Sequence, residues 1–160
     1  MKTLIAGFGN VFFSDDGFGP AVVRSLDGAE LPPGVVVRDF GTGGMNLALE
    51  MCGGYDAVIV VDAISRAEAP GTVLAIEAEE CVADSVPDAH AMDVSAVLAL
   101  FDSMARRLDC KRPRVLVAGC VPATTEEGME LSEVARAAVP QCGKLLRALT
   151  HDLTTTGAQT

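Results

Sequence analysis

Short apolar runs alternate along the chain with segments whose apolar residues recur every three or four positions. Residues 3–6 form an apolar run closed by Gly7-Phe8-Gly9-Asn10, the pattern of a buried strand ending in a turn. A helix is expected from near Gly17 through Val22, Val23 and Leu26. Residues 35–40 read as a second strand, which ends at Gly41-Thr42-Gly43-Gly44 and leads into a helix over about 45–51. The run at 57–61, Ala-Val-Ile-Val-Val, is apolar on both faces, as central parallel strands are. A fourth strand over 72–76 follows the Pro70-Gly71 turn. Over 93–108, Val94, Val97, Leu98, Phe101, Ala105 and Leu108 keep a helical period, with Arg106 and Arg107 near the C-terminal end. Residues 114–120 give a fifth strand. A helical region spans Ser132 to about Leu149, where Pro140 predicts a kink or a restart. The Thr- and Gly-rich tail after His151 is expected to fray.

No internal repeat and no dividing linker interrupts this pattern. The chain therefore reads as one domain over 1–150 with a flexible tail over 151–160. Strands alternating with helices predict an α/β protein, a three-layer α/β/α sandwich with a mainly parallel, twisted five-stranded sheet. Its 160 residues are 49% hydrophobic, enough for a sizeable core. Twelve basic against 22 acidic residues leave a net charge of −10. That sign repels phosphate backbones and anionic membrane surfaces, which argues against nucleic-acid and membrane partners. No uninterrupted apolar run is long enough for a transmembrane helix. The leader-like opening Met-Lys-Thr-Leu-Ile-Ala-Gly meets Asn10, Asp15 and Asp16 too early for a signal peptide. Five scattered cysteines, Cys52, Cys81, Cys110, Cys120 and Cys142, make no C-x-x-C pair and fit reduced thiols. The expectation is a cytoplasmic monomer.

In a parallel sheet, ligands gather beyond the carboxyl ends of the strands. Polar residues expected there include Asp15 and Asp16 after the first strand, Asp62 after the third, and His90 in a long loop after the fourth. A dinucleotide site is disfavoured, because Gly7-x-Gly9-x-x-Phe12 lacks the third glycine and two aspartates would face the pyrophosphate. Asp16, Asp62 and His90, on three separate loops, could form a three-ligand site with open positions, suited to zinc, nickel or similar ions. Each also has a plainer use. Asp15 or Asp16 could cap the first helix, Asp62 could close an Asx-turn, and His90 could be a solvated loop residue. The −10 charge has a local counterpart: Glu77, Glu79, Glu80, Asp84, Asp88 and Asp93 fall around His90 with no Lys or Arg over 77–93. Such a loop would favour a cation or a basic substrate tail.

At these residues the chain resembles the nickel-iron hydrogenase maturation proteases. The resemblance runs from Leu4 to about Pro140. Gly7-Phe8-Gly9-Asn10 with Asp15-Asp16-Gly17-Phe18-Gly19 resembles the family's N-terminal signature, and Asp39-Phe40-Gly41-Thr42-Gly43-Gly44 its glycine-rich loop. Val61-Asp62-Ala63, Pro70-Gly71-Thr72, His90-Ala91-Met92-Asp93 and Gly128-Met129-Glu130-Leu131-Ser132 follow in the family's order and spacing. The resemblance implies an endopeptidase that removes the C-terminal extension of the hydrogenase large-subunit precursor after nickel insertion. It places the metal-contacting residues at Asp16, Asp62 and His90. The nickel is supplied by the substrate, and zinc or another divalent ion could occupy the same position. Asp39 falls at an acidic position that bears on cleavage or substrate choice, with general base as its implied role. Asp16 stands where the family carries Glu or Asp, and Phe40 departs from the more usual glycine. The alternative is a non-catalytic nickel-sensing or hydrogenase-assembly chaperone with the same trio.

Overall fold

The computed structural model describes residues 1–79 and 93–157. In chain order the elements are β1 (Thr3–Phe8), a one-turn 3-10 helix (Ser14–Gly17), α1 (Phe18–Ser25), β2 (Val35–Gly41) and α2 (Gly44–Met51). Then come β3 (Ala57–Ala63), β4 (Val73–Glu77), α3 (Val94–Leu108), β5 (Arg114–Cys120) and α4 (Glu133–Gly157). The described strands form one five-stranded sheet in the order β2-β1-β3-β5-β4.

Strand alternation sorts the core into two layers. Leu4, Ala6, Val58, Val60, Val115 and Val117 point to one face, where Leu47 and Met51 of α2 and Val97 and Phe101 of α3 cover them. Ile5, Ile59, Val61, Leu116 and Ala118 point to the other, against Val22 of α1 and Ala135, Cys142 and Leu146 of α4. The α/β/α sandwich expected from the alternation is therefore present. β1 pairs in parallel with β2 and β3, and β3 with β5, while β4 runs antiparallel to β5. Only residues 64–72 link β3 to β4, shorter than the dozen or so residues a parallel crossover takes, so the strand returns in the opposite direction at the sheet edge.

The helix over 93–108 forms as its period predicts. The Asp93 carboxylate caps it, accepting the Ala96 amide at 2.9 Å. The C-terminal segment departs from expectation. One helix crosses Pro140 without a restart and continues to Gly157, through the stretch predicted to fray from His151. Two things hold it. Leu153 is buried in the α1/α4 layer, three to four residues beyond Leu149 and Thr150. The hydroxyls of Thr154, Thr155 and Thr156 donate back one turn to the carbonyls of Thr150, His151 and Asp152, and so find partners within the helix itself. Among the described residues no helix is long and apolar enough to cross a membrane.

Candidate active site

The site lies at the carboxyl ends of β1 and β3. After β1 the chain turns through Gly9 and Asn10 into the 3-10 turn that carries Asp15 and Asp16. This turn is tied to a segment more than a hundred residues away. The Ser14 amide donates to Gly128 O at 2.7 Å, the Gly128 amide to Phe12 O at 2.9 Å, and the Asp15 amide to Thr124 O at 3.1 Å. Asp15 itself is buried. It accepts from the Ser132 amide (2.7 Å) and hydroxyl (2.7 Å), and from the amides of Ala123 (2.8 Å) and Thr124 (3.3 Å). Burial alone would raise its pKa, but these donors outweigh it and hold the carboxyl below the ordinary range. Asp15 is thus the clamp that fixes the turn, and neither it nor Asp16 caps α1. The sequence signal for this role was the pairing of Asp15-Asp16 with the late Gly128–Ser132 motif, whose contact no spacing rule reveals.

With the turn fixed, Asp16 is half-buried and its Oδ2 accepts the Asn10 amide at 2.9 Å. Asp62 closes β3, paired in register with Gly119. Its Oδ1 accepts the adjacent Ala63 amide at 2.8 Å, a bond to the next residue that is not an Asx-turn. Burial, and then the charge of Asp16, push the Asp62 carboxyl well above the usual range; the Ala63 amide offsets part of this and the charge of Asp93 adds to it. The two carboxylates thus share one field, which a bound cation would relieve. Glycines make this approach possible. A Cβ on Gly9, whose φ is +131°, would lie 2.0 Å from Asp16 O and 3.2 Å from Asp62 Oδ1. A Cβ on Gly119 would lie 1.7 Å from Asp62 O.

The glycine-rich loop reaches the same edge, since the Gly9 amide donates to Gly41 O at 2.8 Å. Asp39 sits near the end of β2, exposed, with β1 between it and β3. Its Oδ1 accepts the Gly41 amide at 2.9 Å and its Oδ2 lies 3.5 Å from Arg24 Nη2. The structure therefore brings Asp16 and Asp62 together and holds Asp39 on the neighbouring loop. His90 lies outside the described residues, as do Glu80, Asp84 and Asp88. Among the described residues no three His, Cys, Asp or Glu side chains converge as metal ligands. Of the acidic residues that flank His90 in sequence, the described ones are Glu77, Glu79 and Asp93. Glu77 pairs with Arg114 and Glu79 with Arg112, at the end of the sheet opposite Asp62. The charge of Asp93, by contrast, acts on Asp62.

Residues 20–148 match the family model for hydrogenase maturation proteases. The chain is 31% identical over 155 residues to the hydrogenase 2 maturation protease of Escherichia coli, covering 93% of this chain and 91% of that protein. It is 32% identical over 126 residues to the coenzyme F420 hydrogenase subunit delta of Methanothermobacter thermautotrophicus, covering 76% and 75%. Among solved structures it is similar to the hydrogenase maturating endopeptidase HybD of E. coli, with TM-score 0.77 and 26% identity over 95% of this chain and 93% of that one. A maturation protease of Thermococcus kodakarensis gives TM-score 0.73 and 28% identity over 94% and 99%. With the family model, relatives and folds in agreement over most of its length, the chain belongs to the hydrogenase maturation protease family and is an endopeptidase.

Proposed function

We propose that this endopeptidase removes the C-terminal extension of a nickel-iron hydrogenase large-subunit precursor after nickel insertion, and that it recognises the nickel the substrate carries. The observation that carries this reading is the Asp16–Asp62 pair. A buried carboxyl, raised by its own burial and by a second carboxylate, costs the fold stability unless a cation or a proton neutralises it. A divalent ion presented by the substrate does so, and Asp62 releases its proton as the ion arrives. His90, three residues before the Asp93 cap, completes the trio with a nitrogen donor, an oxygen and nitrogen set that suits nickel and also zinc. The substrate's ion, held on this trio, anchors the scissile bond near the glycine-rich loop. There Asp39 takes the proton of the attacking water. Phe12, Phe13 and Met129 are exposed on the segments knitted around Asp15, apolar surface for a polypeptide substrate to cover. The enzyme acts as a cytoplasmic monomer.

The test is mass spectrometry of a nickel-loaded precursor after incubation with wild type, Asp16→Asn and His90→Gln. Wild type releases one defined C-terminal peptide, and both variants lose at least about 100-fold in rate, the scale of removing a group that orients the reacting centre. Unchanged cleavage by both variants would sink the site assignment. Stable binding of the precursor without shortening would contradict the cleavage reaction and favour the chaperone alternative.

A further inference from the structure

We propose that Cys52 and Cys110 are a redox-modifiable dithiol, which a peroxide converts to a reversible disulfide tying the end of α2 to the end of α3. Cys52 follows directly on α2, its amide donating to Leu49 O at 3.1 Å. Cys110 follows Asp109, whose left-handed backbone (φ +52°) ends α3, and its amide donates to Ala105 O at 3.1 Å. The loops leaving the two helices are fastened side by side. Lys111 Nζ lies 3.4 Å from Asp56 Oδ1, and the Arg114 amide donates to Asp56 O at 3.0 Å. Beside these ties Cys52 and Cys110, at the two fastened helix ends, are near enough for one thiol to act on the other, and both are partly exposed. Cys120 and Cys142, by contrast, are fully buried in the core, closed to an oxidant in solution.

The chemistry needs one equivalent of peroxide. One thiol, as thiolate, attacks a peroxide oxygen and becomes a sulfenic acid, with release of water. The second thiol attacks that sulfur, forming the S–S bond and releasing a second water. Overall the two thiols lose two electrons and two protons, and the peroxide takes them up. Burial and the Cys110 contact push the Cys52 thiol up to about 11, so at neutral pH the reaction through that sulfur runs from a small thiolate fraction and is slow. The cross-link joins positions 52 and 110 across β3, β4 and α3, a long loop whose closure restrains the unfolded chain. None of this depends on the proposed substrate.

The full-length reduced protein is treated with hydrogen peroxide, its remaining thiols are blocked with iodoacetamide, and it is mapped by mass spectrometry before and after dithiothreitol. The expected result is loss of two hydrogens, a peptide pair joined through Cys52 and Cys110, reversal by dithiothreitol, and a melting temperature higher by about 5 °C or more. Cys52→Ser and Cys110→Ser, each checked for native circular dichroism, lose both the cross-link and the rise. A cross-link through Cys81, oxygen addition at separate thiols, or no change in mass would each overturn the proposal.

Discussion

Asp15 is buried among donors from Ser132, Ala123 and Thr124, while Asp16, the next residue, turns partly to solvent beside Asp62. Asp15→Asn replaces one acceptor oxygen by an NH2 group facing N–H and O–H donors. We expect it to lower stability by about 2–4 kcal/mol, read by urea unfolding at pH 7. Because the folded pKa of Asp15 is lowered, its contribution is present above the unfolded value of about 3.9 and is lost as pH falls through the folded value. The penalty of Asp15→Asn should therefore shrink at strongly acidic pH. Asp62 has the opposite sign. Its folded pKa is raised, so its ionisation destabilises the fold increasingly as pH rises from about 3.9 through that raised value. Asp62→Asn should raise the melting temperature at pH 7 by about 2–4 °C, with no gain near pH 3.5, while abolishing cleavage. A lower melting temperature at pH 7 would contradict the strained carboxylate pair. The sequence identified all three aspartates but could not assign these roles, since the donors that single out Asp15 come from as far as 117 residues away.

Among the elements, the strands and α3 were legible because a period of two or of three to four survives in the chain whatever its neighbours do. The exceptions share a cause. The direction of β4 follows from a connection too short to cross over, and the length of α4 from a single buried Leu153 that a Thr-rich composition conceals. Leu153→Ala should cost about 2–4 kcal/mol and lower the melting temperature by several degrees, whereas a frayed tail would make it neutral. The β1 turn gives a second test. Gly9→Ala puts a methyl group where Asp16 O already lies and strains a positive φ, so Asp16 must move. We expect loss of several degrees in melting temperature and loss of cleavage together, measured on the same preparation.

For the whole molecule, the parallel order β2-β1-β3-β5 sets the loops of β1, β2 and β3 at one edge, which is why polar residues distant in sequence could be placed there by the strand-end rule alone. That rule placed Asp16, Asp62 and His90 at one edge, and of these Asp16 and Asp62 lie there on either side of Gly9. The −10 charge was less informative locally, because Glu77 and Glu79 are spent on arginines at the opposite end. On the proposed reading it is buried Asp62 beside half-buried Asp16, rather than the bulk charge, that meets the substrate's ion. The most direct measurement of that role is intact-mass analysis of one large-subunit precursor, prepared with and without nickel and incubated with this enzyme under identical conditions. Release of a single C-terminal peptide from the nickel-loaded precursor and none from the nickel-free form is the predicted result. Equal cleavage of both forms would contradict recognition of the substrate's metal.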